Sequence, residues 1–285
     1  MRGVVFLHAF PYSPRMWEGE VALLKTRLPV LAPHYLGLSL GKAAEKVLGE
    51  MDEAGLEQAV FVGLSMGGYL VFELFRKAPE RFLGTVLSST RAGPDSEEAK
   101  RNRYALRERV LKEGVGFLPE ALLPSHLGRT TQATKPEVVE KARAIILEAS
   151  PEAVAETLVA LAERPDSTPL LSRMQVPALV LVGEEDTLTP PEEARRMWKA
   201  LPDARRRIQT FLPALEDQLS PTPACSSSRR RATSPTWKTP RPSAPPFWAS
   251  SPSSFRAGRR PPGSGGGPGR ARPPPRPPPP RTPPG

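Results

Sequence analysis

Three features of the first 205 residues predict an α/β fold, a mostly parallel sheet covered by helices on both faces. Short apolar runs of strand type recur at Val4–Leu7, Ala59–Gly63, Gly84–Ser88 and Ala178–Gly183. Segments of helical periodicity separate them. One run passes directly into a helix-compatible segment through Gly63-Leu64-Ser65-Met66-Gly67. Strands that alternate with helices pair in parallel, because each return crossing needs a helix, and the helices then cover the sheet.

Taken in order, Val4–Leu7 is the first strand and leads into His8-Ala9-Phe10-Pro11. Leu28–Pro33 reads as a second, short strand, with His34 in the turn behind it. Gly41–Ala54 is an amphipathic helix with Ala44, Val47, Leu48 and Met51 on one face. Ala59–Gly63 is the third strand, Met66–Lys77 its helix, and Gly84–Ser88 the fourth strand. From Thr90 to about Arg173 the strand signal disappears, while Ser96–Gly114, Glu137–Glu148 and Pro151–Glu163 carry helical periodicity. These predict a helical cap over residues 90–173, inserted between core segments 1–89 and 174–205. Within it, Glu97–Lys112 reads as a solvated helix face, and His126 is a candidate substrate contact.

The chemistry centres on Ser65. A serine on a sharp strand-to-helix turn sits in a strained backbone with its neighbours pressed close, which side chains at Gly63 and Gly67 would prevent. The following helix points its positive N-terminus at any oxyanion formed there. The competing reading is an ordinary glycine-rich turn.

Three motifs in this order resemble the α/β-hydrolase family over residues 1–205. His8-Ala9-Phe10-Pro11 is similar to its oxyanion loop, Gly63–Gly67 to its nucleophile elbow, and Val182-Gly183-Glu184-Glu185-Asp186 with Thr189-Pro190 to its acid loop. The resemblance implies acyl transfer: Ser65 as nucleophile, the backbone N–H groups of Phe10 and Met66 as the oxyanion hole, and Asp186 as the acid that orients a histidine. His8 takes a supporting structural part. The alternative for Asp186 is a helix N-terminal charge, with Glu184 and Glu185 close enough to be confused with it. Two departures are visible. Ala9 replaces the family's glycine, and the chain begins at what would be the family's third strand. The family also places a Gly-His after its last strand, and none of His8, His34 and His126 occupies that position.

The remaining sequence suggests why. Residues 205–285 hold 15 Lys+Arg against 2 acids, 21 of the 37 prolines and Cys225, whereas 1–204 hold 25 basic and 28 acidic residues. The +10 net charge is therefore a property of the tail, and it directs the body to neither nucleic acid nor a membrane surface. Residues 206–285 are expected to be disordered, being Pro/Arg-rich low complexity. Translated one base away in a GC-rich gene, Ser220–Ser251 can conceal a final strand, a Pro-Gly-His turn and an amphipathic helix. Trp237 before Lys238 then fixes a Glu, and Trp248 before Ala249 a Gly. The catalytic histidine would lie at the position of Thr233. The expectation is a frameshift. The rival is a genuine basic tail whose Pro273–Pro280 offers a polyproline II helix and whose arginines bind nucleic acid.

A single cysteine fits a reducing, cytoplasmic setting, and no run reaches membrane-spanning length. The Arg/Glu/Leu/Ala-rich body suggests a thermophilic bacterium. No metal or cofactor is called for, and the oligomeric state is left open. The expected activity is hydrolysis of a small-molecule ester or lactone, with esterase and enol-lactonase members of the family the most similar. The alternatives are an aminopeptidase of the proline iminopeptidase type and a non-catalytic protein on a hydrolase scaffold. Lacking its base, the chain as it stands is expected to be nearly inert.

Overall fold

The computed structural model describes residues 1–202. The expected tail, its hidden strand and helix and the Thr233 position lie outside the described residues. Within them, five parallel strands form one sheet: β1 (Arg2–Leu7), β2 (Val30–Leu31), β3 (Gln58–Leu64), β4 (Phe82–Ser88) and β5 (Ala178–Leu181). Their spatial order is β2-β1-β3-β4-β5. Ten α-helices accompany them, of which α1 (Glu18–Leu24), α2 (Leu40–Glu53) and α3 (Met66–Lys77) precede β4. Six lie between β4 and β5: α4 (Glu97–Glu113), α5 (Leu118–His126), α6 (Arg129–Thr134), α7 (Pro136–Leu147), α8 (Pro151–Ala162) and α9 (Thr168–Leu171). The last is α10 (Pro191–Ala200).

The α/β fold class read from the sequence is thus observed. β3 is buried along most of its length on both faces, as a central parallel strand with helices above and below must be. Phe61 on β3 and Leu70, Phe72 and Leu74 on α3 are fully buried, with the Phe61 ring 4.2 Å from that of Phe82 on β4. Serines set the helix starts. Ser39, Ser96 and Ser150 each accept a backbone N–H from three residues on, which satisfies a donor the helix cannot.

The second strand is shorter than its apolar run. Pro29 and Pro33 cannot donate to a ladder, so only Val30 and Leu31 pair with β1, and the strand sits at the edge, where proline is tolerated. The Pro29 carbonyl still accepts from Val4 N at 3.0 Å. Because all five strands are parallel, their carboxyl ends share one rim. The loops after β1, β3, β4 and β5 meet there, facing residues from α4 and α5. No helix among the described residues is long and apolar enough to cross a membrane.

Candidate active site

Ser65 occupies the one-residue joint between β3 and α3, at φ 52° and ψ −110°. This is the left-handed half of backbone space, which a side-chain-bearing residue enters only at a cost of about 1–3 kcal/mol. Neighbouring strands hold it there. Ser65 N donates to Ser88 O at 2.9 Å, and Ser65 O accepts from Thr90 Oγ1 at 2.8 Å and from Gly68 N at 2.9 Å.

The glycines of the motif permit this packing. A Cβ on Gly63 would lie 2.5 Å from the carbonyl carbon of Gly67. One on Gly67 would lie 2.8 Å from the carbonyl carbon of Leu7 and nearer still to its oxygen. Gly68, which the Gly-x-Ser-x-Gly pattern does not include, is equally constrained: its Cβ would meet Thr90 Cγ2 at 2.6 Å. Ser89 at the end of β4 is a second non-glycine residue at positive φ, 41°, and it lines the same cavity as Ser65.

That cavity is a cleft in two adjoining parts of roughly 810 and 970 Å³, which share Phe10, Ser65, Ser125, His126, Leu188 and Thr189 on their walls. Met66 opens α3, so its N–H has no carbonyl partner in the helical register, and it lies in the second part beside Phe10 and Ser65. Phe10 follows Ala9, whose own N–H is directed at Met16 Sδ at 3.2 Å. The structure thus brings Ser65, Phe10, Met66 and Asp186 to one cleft.

The three acids after β5 have different surroundings. Glu184 is exposed. Glu185 reaches across to α6, where its carboxylate accepts Thr130 N at 3.0 Å and Thr130 Oγ1 at 2.6 Å. Those hydrogen bonds from Thr130 hold its carboxyl below the usual carboxylate range. Asp186 lines the first part of the cleft and closes its own loop: Oδ1 accepts Leu188 N at 3.0 Å and Thr189 N at 2.8 Å, and Oδ2 accepts Thr189 Oγ1 at 2.7 Å. Only Asp186 combines a place in the cleft with a fixed orientation inside its own loop.

The histidines divide likewise. His8 is fully buried and does not line the cleft. Its Nε2 accepts Tyr35 N at 3.3 Å, which leaves the proton on Nδ1 to be donated to Ala9 O at 3.1 Å. Burial, reinforced by the nearby His34, lowers its pKa to about 3, so it is neutral. His34 is exposed in the loop after β2, two residues before the turn at Leu36 and Gly37, its ring stacked 5.5 Å from that of His8. His126 ends α5 and lies on the wall of both parts of the cleft, its Nδ1 hydrogen-bonded to Tyr12 Oη at 3.2 Å. Burial lowers its pKa to about 4, with the charge of Asp186 only partly opposing.

The second part of the cleft carries charges that the sequence did not single out. Asp95 is buried between two guanidinium groups, its Oδ1 2.7 Å from Arg164 Nη1 and its Oδ2 paired with Arg103 Nε. Burial pushes the Asp95 carboxyl upward, but the two arginines outweigh it and hold the group ionised, below its ordinary pKa. Among the described residues no group of three or more His, Cys, Asp or Glu side chains is placed to hold a metal ion.

A family model described as serine aminopeptidase, S33, matches residues 44–214. The 3-oxoadipate enol-lactonase 2 of Acinetobacter baylyi is 26% identical over 196 residues, which cover 65% of this chain and 72% of that protein. A thermophilic esterase from Thermogutta terrifontis, solved with malate bound, superposes with a TM-score of 0.70 at 35% identity, covering 77% of this chain and 91% of the other. The enol-lactonase of Burkholderia xenovorans LB400 superposes with a TM-score of 0.65 at 24% identity, covering 76% of this chain and 91% of the other, a likeness of fold alone.

Proposed function

Since the chain belongs to the serine aminopeptidase S33 family of the α/β-hydrolase superfamily, we propose that it is built as a serine hydrolase of small carboxylic esters or lactones. The observation that carries this reading is the backbone of Ser65: strained, pinned by β4 and open to a cleft. Such strain persists only where surrounding structure over-determines it, and it clusters where it is used.

In the proposed mechanism Ser65 Oγ attacks the substrate carbonyl carbon while its proton passes to a base. The alkoxide that results is stabilised by the N–H groups of Phe10 and Met66, and its collapse expels the alcohol and leaves an acyl group on Ser65. Water then releases the acid by the same steps. Asp186 is proposed to orient the base. That base is not one of the three histidines in the family's expected position, and the Thr233 position proposed for it lies outside the described residues. Loss of the base of a serine triad costs about 10⁴–10⁶ in kcat. The proposed division is core 1–89, helical cap 90–173 and core 174–205, with the cap over the carboxyl ends of the strands; the six helices between β4 and β5 support it. The single cysteine supports a reducing, cytoplasmic setting.

The family model's own description favours a second reading, an aminopeptidase. It would need a free acidic anchor for the substrate amine. The buried carboxylate on this cleft, Asp95, is already occupied by Arg103 and Arg164, which weighs for an ester or lactone. The unfilled histidine position favours a third reading, a non-catalytic scaffold.

The test is p-nitrophenyl acetate hydrolysis by two proteins, the chain as it stands and one with the frame restored after Arg205, each with Ser65→Ala as control. Activity in the restored protein alone, abolished by Ser65→Ala, supports both the hydrolase and the frameshift. Equal activity in both proteins overturns the missing-base argument, and His126 then becomes the residue to mutate. Silence in both favours the scaffold.

A further inference from the structure

The charges of the second part of the cleft are unbalanced. Two guanidinium groups, Arg91 and Arg103, line it with one carboxylate, Asp95, which is itself shared between Arg103 and Arg164, and no other acid lines this part among the described residues. The arginines are not equivalent. Arg164 is held by the protein through both Nη groups, although its buried Nε, like that of Arg91, lacks an acceptor. Besides Asp95 it gives Nη1 to Leu161 O at 2.9 Å and Nη2 to Gly93 O at 3.1 Å, and it lies 4.2 Å over the ring of Tyr69. Arg103 gives only Nε to Asp95, so both its Nη groups are left over, on a side chain 24% exposed at the cleft. Arg91 donates Nη2 to Leu188 O at 2.6 Å, while its buried Nε–H has no acceptor. Asp95 carries one negative charge already shared between Arg103 and Arg164, so it does not balance the excess. The remaining wall includes Leu106, Leu122, Leu158 and Leu161, an apolar surround in which an unpaired charge acts strongly. The first part has the opposite sign, with Glu185 and Asp186 on its wall.

We infer that this part of the cleft is an anion subsite, in which Arg91 and Arg103 receive a carboxylate carried by the substrate some distance from its scissile ester. A planar carboxylate matches the spare N–H groups of a guanidinium, and the opposite polarity of the two parts fixes which end of the molecule points which way. The subsite rests on the proposed hydrolase reading only for calling its ligand a substrate. The binding itself needs no turnover.

The test is calorimetric titration of the full chain with succinate and, separately, with its neutral dimethyl ester, at low and at moderate salt. Succinate is expected to bind at least about tenfold more tightly than the diester, as one charge-assisted contact warrants, and to weaken as salt rises. Arg91→Gln and Arg103→Gln should each remove most of that preference. Arg103→Gln also breaks an ion pair to Asp95, so thermal melts accompany the titrations. If it fails to fold, Arg91→Gln, which breaks no ion pair, decides. A preference absent from the wild type, or retained by folded Arg91→Gln, overturns the subsite. Fluorophosphonate labelling of Ser65, run in parallel on the frame-restored protein, separates the two readings. Labelling without succinate preference refutes the subsite alone, and succinate preference without labelling refutes the hydrolase alone.

Discussion

Two glycine-to-alanine changes on helices should affect stability differently. In α2, Gly49 has nothing within 4 Å of the place a Cβ would occupy. Alanine there gains the usual helical preference, about 0.5–1 kcal/mol. Gly67 is helical too, in the first turn of α3, and would gain the same preference. Its Cβ, however, would stand 2.8 Å from Leu7 C and 3.0 Å from Leu7 Cβ. Leu7 ends β1, which pairs with β2 on one side and β3 on the other, so the obstruction is backbone that cannot rotate away. Overpacking of this kind costs about 1–3 kcal/mol and occasionally more. The shared helical gain cancels, so the two variants should differ by the overpacking cost, roughly 1–3 kcal/mol, with Gly49→Ala above the wild type and Gly67→Ala below Gly49→Ala. Guanidinium denaturation followed by far-UV circular dichroism measures both midpoints at constant slope. A Gly67→Ala protein as stable as Gly49→Ala would refute the claim that close backbone approach, and not turn preference, fixes the motif.

Acid should weaken the fold through its buried neutral histidines. Between the ordinary pKa of 6.5 and about 3, the unfolded chain binds a proton at His8 that the native state refuses, so stability falls as pH falls, by about 1.4 kcal/mol per unit within that window. His126 adds a similar slope between 6.5 and about 4. His8→Gln, whose amide oxygen can still accept Tyr35 N–H, should show a slope smaller by about one proton in urea midpoints between pH 6.5 and 5. Identical slopes would exclude His8 as a source. Asp95→Asn should cost about 3–5 kcal/mol, because it leaves Arg164 buried at 2% side-chain exposure without its counter-charge. Scanning calorimetry should register this as a melting temperature lower by on the order of 10 °C, and an unchanged one would rule out the pair as a structural element.

The parts of the fold with strong local signals were legible in the sequence. A short apolar run bounded by turn residues reads as a covered strand, and Ser65 with its glycines marks the joint after β3. Three things were not legible, for separate reasons. α5 contains Pro119 and Pro124, which break the helical pattern; the first sits in the opening turn, where proline is tolerated, and the second lies inside the helix. The charged stretch from Glu97 to Lys112 read as a solvated face, and much of it is, but Arg103 turns inward to Asp95 and the cleft. Arg103 lies only eight positions from Asp95, but the second arginine on that carboxylate, Arg164, comes sixty-nine positions after it, and no periodicity reports the cluster. Lastly, Glu184, Glu185 and Asp186 are indistinguishable as letters. Glu184 is exposed, and Glu185 and Asp186 share the cleft wall; what separates these two is that Thr130, on a helix far back in the chain, holds Glu185, whereas Asp186 is held by its own loop.

The backbone of Ser65 also has a practical consequence for trapping a bound ester. The usual way to silence a nucleophile is to replace it with alanine, but alanine keeps the Cβ and with it the penalty of a φ of 52°. Glycine removes the hydroxyl and the penalty together, because at that angle it is at ease. Disarming the site and relaxing it are thus the same substitution, and Ser65→Gly should be a sturdier protein than the wild type. An intact ester soaked into that variant would sit in the cleft unhydrolysed, in a host chosen for durability as well as for inactivity.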